Sequence, residues 1–253
     1  MNLELPQIEG SYKSASQIIR IVTETWGEHN LYCPVCDSDR LERTPANTRA
    51  VDFICSRCEE SFQLKSSSRW DERRIVDASY DTMIASIRNN KTPNLFVLGY
   101  TNGRYVQNII LVPHFFFTES AVEKRTPLGP QARRAGWVGC NILLSHIAPD
   151  GKIRIVSGGV ITDADEVRKS YQAIKPFAEL DARLRGWTLD VLRAIRQLGK
   201  AEFSLQEVYT FESELQFAHP ENRHIRDKVR QQLQILRDLG FLKFLGNGKY
   251  AIT

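Results

Sequence analysis

Four cysteines stand in two Cys-x-x-Cys pairs, Cys33/Cys36 and Cys55/Cys58, with the eighteen residues Asp37 to Ile54 between them. One such turn presents two thiolates to a single ion, and two close the shell of four cysteine sulfurs that suits Zn2+. A redox pair would leave the other pair unexplained. With no open ligand position beside it the zinc is expected to be structural, stabilising a loop-rich segment that buries little by itself. The second pair also falls between Asp52 and the triplet Gln63-Leu64-Lys65. The flanking runs Arg49 to Ile54 and Ser61 to Lys65 are strand-like, which places the cysteines in the turn of a predicted hairpin. Asp52 then lies opposite a residue between Ser61 and Gln63, and Gln63 and Lys65 share one face because side chains alternate. A hard Mg2+ takes oxygen ligands, here the Asp52 carboxylate, the Gln63 amide and the Leu64 carbonyl. Such an ion activates a water and stabilises charge on a phosphate, with Lys65 orienting or deprotonating the nucleophile. An Asp and a Lys on a hairpin are also a common surface pair, and spacing alone leaves both readings open.

These residues must be held by a scaffold of modest size. The 253 residues are 42% apolar and 25% charged, which fits one large or two modest domains with a real core. The formal net charge of +4 permits a nucleic-acid partner without requiring one. The start, MNLELPQIEG, lacks the basic and apolar regions of a signal peptide, and the most apolar run, Ile109 to Phe117, is broken by Pro113 and His114. A soluble cytoplasmic protein is expected, in a reducing compartment where Cys140 stays unpaired.

Apolar spacing predicts a helix from Ser14 to Trp26, capped by Ser14 and stopped by Gly27, and another from about Asp77 to Arg88. Strands are predicted at Asn94 to Tyr100 and Tyr105 to Val112, around the turn Thr101-Asn102-Gly103, and at Lys152 to Val156 before a helix that begins near Thr162. The mixed order makes the fold class α/β. After residue 182 the pattern changes to short helices and a terminal hairpin with no strand before it. One helix carries Trp187, Val191, Leu192, Ile195 and Leu198 up to Gly199, a second runs from Ser204 through Val208 and Phe211, and a third runs from Ile225 to Leu239. The hairpin Phe241 to Ala251 turns at Gly246-Asn247-Gly248, completing a winged-helix order. Residues 1–182 and 183–253 are therefore taken as two domains. The outer face of the third helix carries Arg226, Lys228, Arg230, Gln231, Gln234 and Arg237, and the wing adds Lys243 and Lys249. Seven Lys/Arg against three Asp/Glu between Glu221 and Tyr250 make this segment locally basic, as DNA contact requires. A solvated helix face in a protein-binding winged helix is the alternative. His219 and His224 are given no role.

Five stretches taken together resemble the DpnI-type methyl-directed restriction endonucleases. They are Cys33-Pro34-x-Cys36, the segment Val51-Asp52-Phe53-x-Cys55-x-x-Cys58, the Phe62-x-Leu64-Lys65-Ser66 run, Ala132 to Asn141 (ARRAGWVGCN), and Ile225 to Asp238 with its RQQLQILRD core. The resemblance spans almost the whole chain in the same order. It implies a PD-(D/E)xK nuclease core with an inserted zinc site, a C-terminal winged helix, Mg2+ dependence, and cleavage of duplex DNA at GATC carrying N6-methyladenine, read by both domains of a monomer. By matching positions Asp52 and Lys65 would be catalytic, and Trp137 would contact the adenine methyl groups. That contact is physically sensible, since the methyl adds apolar surface in the major groove; without the resemblance a Trp between Gly136 and Gly139 is simply core. Arg133 and Arg134 are candidate phosphate contacts.

The chain departs from the pattern in one telling place. Gln63 stands where the family has Glu, removing a negative charge and a strong Mg2+ ligand; Glu59, Glu60 or Glu24 could supply another carboxylate. Val51 stands where the pattern has Pro. Two readings follow: an endonuclease that cuts methylated DNA, and a methyl-DNA-binding protein on the same scaffold with slow or lost chemistry. A winged-helix regulator unrelated to nucleases would leave the Asp52/Lys65 arrangement unexplained.

Overall fold

The structure is a computed structural model that describes residues 1–8, 14–45, 48, 50–102 and 104–253. In chain order its elements are α1 (Ala15–Asn30), β1 (Glu42–Arg43), β2 (Phe53–Ile54), β3 (Ser61–Ser67), β4 (Ile75–Ser79), α2 (Tyr80–Arg88), β5 (Asn94–Tyr100), β6 (Val106–Val112), β7 (Val122–Lys124), β8 (Gly139–Ile142), β9 (Ile153–Ser157), β10 (Val160–Ile161), α3 (Ala164–Ile174), α4 (Ala182–Gln197), β11 (Glu202–Ser204), α5 (Leu205–Tyr209), α6 (Glu212–Ala218), α7 (Ile225–Asp238), β12 (Leu242–Gly246) and β13 (Lys249–Ile252). The class is mixed α/β. Two compact units form: Met1–Glu72 with Lys91–His114 and Asp150–Lys175, and Arg73–Asn90 with Phe115–Pro149 and Pro176–Thr253. Among the described residues no helix is long and apolar enough to cross a membrane.

The first unit is built on a seven-stranded sheet in the order β1-β2-β3-β5-β6-β9-β10. Only β3 and β5 pair in parallel; the other neighbours are antiparallel. Residues Asn94 to Gly99 of β5 are all buried, so the run NLFVLG shows no alternation because both faces are covered. Helix α1 buries Val22 and Trp26, and the Thr23 hydroxyl lies 3.2 Å from that of Ser66 on β3. Ser14 caps α1 by accepting from the Gln17 N–H, as expected. Gly27 does not stop it. The helix runs on to Asn30 because Gly27 is a packing residue: a Cβ there would stand 2.7 Å from the Phe53 ring. The expected strand Arg49 to Ile54 is reduced to β2; Arg49 itself, like Gly103 of the expected turn, lies outside the described residues.

The second unit holds two three-stranded sheets, β4-β8-β7 and β11-β13-β12. The helix expected from Asp77 starts only at Tyr80, since Ile75–Ser79 is spent in pairing with β8. The C-terminal segment is helical with a terminal hairpin, and it does have a strand before that hairpin. Glu202–Ser204 pairs with β13, a strand too short to show a period. Ser204 then closes a capping box with Glu207. The helix expected to run through Phe211 ends at Tyr209, and α6 follows as a separate piece. Helix α7 buries Ile225, Val229, Leu233 and Leu236, and with them Gln232, whose side-chain oxygen accepts from the Thr188 hydroxyl at 2.7 Å.

Candidate functional site

In the first unit the four cysteines converge. Their sulfurs all lie within 4.8 Å of one another, with Cys33 to Cys58 and Cys36 to Cys55 each 3.6 Å apart. Four thiolates at about 2.3 Å from a tetrahedral Zn2+ would stand about 3.8 Å from each other, so the set fits that ion without rearrangement. Local hydrogen bonds shape the shell. The Glu59 N–H donates to the Cys55 carbonyl (2.8 Å) and the Cys55 N–H to the Glu60 carbonyl (2.9 Å), closing the turn between β2 and β3. Burial pushes the Cys55 thiol up, but N–H groups of Cys58 and Arg57 together with the Cys36 and Cys58 side chains outweigh it and bring the pKa to about 7, while burial raises Cys33 and takes Cys58 to about 11. The other cysteine loop is held from α3: Arg168 donates to the Cys33 and Ser38 carbonyls, both at 3.2 Å, and its guanidinium lies over the Tyr32 ring. Gln172 adds a hydrogen bond to the Val35 carbonyl.

The same turn sets the position of Asp52. The ladder pairs Phe53 with Phe62 and Ile54 with Ser61, and the Asp52 N–H donates to the Phe62 carbonyl at 2.9 Å. The ladder ends there, and Asp52 lies in a bend just before β2. Its carboxylate reaches across the hairpin and accepts the Leu64 N–H at 2.8 Å through Oδ2. Burial raises the Asp52 pKa above the usual carboxylate range and the charge of Glu24 adds to this, while the Leu64 N–H, Lys65 and Arg20 oppose it. Gln63 and Lys65 are both half-buried on alternate positions of β3. The structure therefore brings Asp52, Leu64 and Lys65 together and sets Gln63 beside Leu64 on β3.

Among the three glutamates considered as substitutes for the missing carboxylate, Glu24 is the one whose charge acts on Asp52. It is buried on α1 and paired with Arg20 at 3.0 Å and with Arg43. Glu60 accepts from Asn94 at 2.8 Å, and Glu59 is exposed at a positive φ in the cysteine turn.

In the second unit Trp137 sits at the base of the loop joining β7 and β8. The loop is cross-tied by the Leu128 N–H to the Trp137 carbonyl and the Gly136 N–H to the Leu128 carbonyl, both 2.9 Å. Gly136 takes φ +77°, open to glycine at no cost. The indole rests against the backbone at Gly139, where a Cβ would come 3.0 Å from two ring carbons. Arg134 lies over the ring, its Cζ 4.5 Å from the centroid. Arg133 and Arg134 are exposed, and among the described residues neither has a carboxylate partner. On α7, by contrast, Arg226 pairs with Glu212, Arg230 with Asp227 and Arg237 with Asp238. Gln231, Gln234, Lys243 and Lys249 are exposed, whereas Lys228 is half-buried, donating to Gln231 with its ammonium 5.9 Å from the Trp187 ring centroid.

Residues 1–179 match the sequence profile of DpnI, the Dam-replacing family, and residues 183–251 match that of the Dam-replacing HTH domain. The chain belongs to the DpnI family. Membership of this restriction-endonuclease family suggests a nuclease with methyl-directed recognition, and the HTH domain supports DNA as the partner.

Within this DpnI-type chain, one cluster carries no sequence signal. Buried Asp190 on α4 accepts from the Ser120 hydroxyl at 2.6 Å and lies 2.8 Å from His219 Nε2, and the His219 ring stacks on Trp187 at 3.6 Å between centroids. His219, given no role from sequence, thus fixes one side of α4. The two contacts of Asp190 span 29 residues to His219 and 70 to Ser120, beyond the reach of any local pattern.

Proposed function

We propose that the protein is a type IIM restriction endonuclease that cleaves duplex DNA at GATC sites carrying N6-methyladenine, through a Mg2+-dependent PD-(D/E)xK core in residues 1–182 and a winged helix in residues 183–253. The observation that carries this reading is the half-buried Asp52 carboxylate, fixed by the Leu64 N–H at the head of Gln63-Leu64-Lys65. That hydrogen bond across the hairpin, with Lys65 close enough to act on the carboxylate, sets Asp52 apart from an ordinary surface acid. Asp52, through the oxygen not bound to Leu64, and the oxygens of Gln63 and Leu64 form a donor set that suits a hard ion. Bound there, Mg2+ supplies an activated water and neutralises charge on the scissile phosphate. Lys65 orients or deprotonates the nucleophile from the adjacent position on β3. The Leu64 N–H keeps the Asp52 carboxylate from turning away, and the four-cysteine shell, holding a structural zinc, keeps the hairpin closed around both.

On the DNA side, the exposed Arg133 and Arg134 beside the half-buried Trp137 in one loop, and the exposed face of α7 with Arg226, Arg230, Gln231 and Gln234, supply phosphate and base contacts. Lys249 on the wing adds another cation. Lys228, turned toward Trp187, contributes less than sequence suggests. Gln63 favours a second reading, a methyl-DNA-binding protein with slow chemistry, because an amide brings no charge to the ion. Digestion of methylated and unmethylated GATC duplexes with Mg2+ or Mn2+ separates the two. Cleavage of methylated DNA that Asp52→Ala abolishes and Gln63→Glu retains supports the enzyme; binding without cleavage at every metal concentration supports the reader.

A further inference from the structure

We propose that Arg134, stacked on Trp137, reads the guanine that precedes the methylated adenine, so that the two residues recognise a G–methyladenine step as one stacked unit. This rests on the methyl-GATC reading above and adds a specificity residue to it.

Of the cations of its unit that lie over aromatic rings, Arg134 comes nearest, its Cζ 4.5 Å from the indole centroid. The arginines of α7 lie against carboxylates of their own segment, whereas Arg134 is exposed and has no carboxylate partner among the described residues. Resting on a ring consumes none of the donors in the guanidinium plane and limits the conformations the side chain must give up on binding. What remains is an exposed planar fork of N–H donors, the shape that pairs with O6 and N7 of guanine in the major groove.

The indole beneath it is fixed. Its far side meets Gly139, where even a methyl would crowd Cη2 and Cζ3 at 3.0 Å, and its backbone is tied to Leu128 and Arg134. Guanidinium and indole are therefore held at a separation of 4.5 Å, centre to centroid. Successive bases in a duplex stack about 3.4 Å apart. A donor fork in one layer and an apolar ring in the next thus match a guanine followed by an adenine whose N6 methyl projects into the same groove.

The test is a binding cycle on zinc-loaded protein without Mg2+, using wild type, Arg134→Ala and Arg134→Lys with short duplexes that contain methylated GATC, methylated GATC with 7-deazaguanine, or unmethylated GATC. Replacing N7 by C–H removes one acceptor and leaves the phosphates untouched. Wild type should lose part of the roughly 5- to 150-fold discrimination carried by a bidentate pair, and Arg134→Ala should bind the normal and 7-deaza duplexes equally. Arg134→Lys, a single-point donor, should restore part of the affinity with a smaller N7 effect than wild type. The proposal is overturned if the 7-deaza penalty persists in Arg134→Ala. It is also overturned if Arg134→Ala weakens all duplexes alike with a salt slope lower by about one, the mark of a phosphate contact, or leaves all three affinities unchanged. The unmethylated duplex reports separately: equal wild-type affinity for it would bring down the methyl-directed reading itself, whereas methyl preference with an Arg134-independent N7 effect removes only this proposal.

Discussion

Gly27 and Gly186 lie inside helices α1 and α4, and alanine at the two positions should have opposite effects on stability. Within a helix, alanine is favoured over glycine by roughly 1 kcal/mol because it has less backbone freedom to lose. At Gly186 a Cβ would meet nothing within 4 Å, so only this contribution acts and Gly186→Ala should stabilise by about 0.5–1 kcal/mol. At Gly27 the same atom would come 2.7 Å from Phe53 Cζ and 3.1 Å from Leu31 Cδ1. Phe53 is wholly buried, and its cross-strand partner Phe62 stacks on Phe96 at 5.3 Å, so the ring has no free space to enter. Restoring ordinary carbon contacts of about 3.5–4.0 Å means moving helix or strand by about 1 Å. Overpacking of that kind costs about 1–3 kcal/mol. Because the helix contribution is common to both substitutions, the two variants should differ by this amount. The site should feel it more strongly, since Phe53 adjoins Asp52 and a misplacement of about 1 Å in a catalytic group can cost about 100-fold in rate. Urea unfolding of both variants, with single-turnover cleavage of methylated duplex, measures the two effects. If Gly27→Ala proves as stabilising as Gly186→Ala, the packing account of Gly27 is wrong.

Four further outcomes are expected. Zinc analysis should find one ion per chain, and Cys36→Ser or strong chelation should lower both the unfolding midpoint and Mg2+-dependent cleavage, because the shell closes the hairpin that holds Asp52. Gln63→Glu should lower the Mg2+ concentration at half-maximal cleavage, read by metal titration, by restoring a carboxylate beside Leu64 on β3. The folded pKa of Asp52 is raised, so in metal-free protein its stabilising contribution is complete below the unfolded value of about 3.9 and is lost as pH rises through the folded value. Asp52→Asn should accordingly flatten that part of the stability–pH curve and make the metal-free protein more stable at neutral pH, with unchanged stability there as the contrary result. Asp190→Ala should cost roughly 2 kcal/mol in denaturant unfolding, since it removes the buried acceptor of the part-buried His219 and leaves Ser120 only its contact with Thr118.

What the sequence disclosed and what it hid differ by the range of the interactions. The spacing of the cysteines, the β2–β3 hairpin and the apolar faces of α1, α4 and α7 are local patterns, and each could be read from a window of a few residues. The buried run of β5 was visible for the same reason. Strands β7, β8 and β11 were not, because three or four residues carry no measurable period and their pairing is decided by partners far along the chain. Gly27 looked like a stop because glycine ends many helices; only the position of Phe53 shows it to be a contact. Glu24 could be named as a candidate carboxylate but not chosen over Glu59 or Glu60, since its proximity to Asp52 comes from the docking of α1 on β3. Trp137 was legible only by resemblance, and the guanidinium over its ring not at all.

The cysteine turn occupies the one place in a sheet where chain can be lengthened or trimmed without altering which residues face each other. Pairing between Phe53 and Phe62 fixes the relation of Asp52 to Gln63 and Lys65 whatever lies between Ile54 and Ser61. A long, polar turn would ordinarily loosen that pairing through the entropy of its closure, and an ion clasped by four sulfurs removes the freedom that causes it. The metal shell is therefore detachable from the active-site register in geometry but not in strength. A chain could exchange this turn for a short glycine-containing one and keep its candidate catalytic residues aligned, provided the new turn closed as tightly.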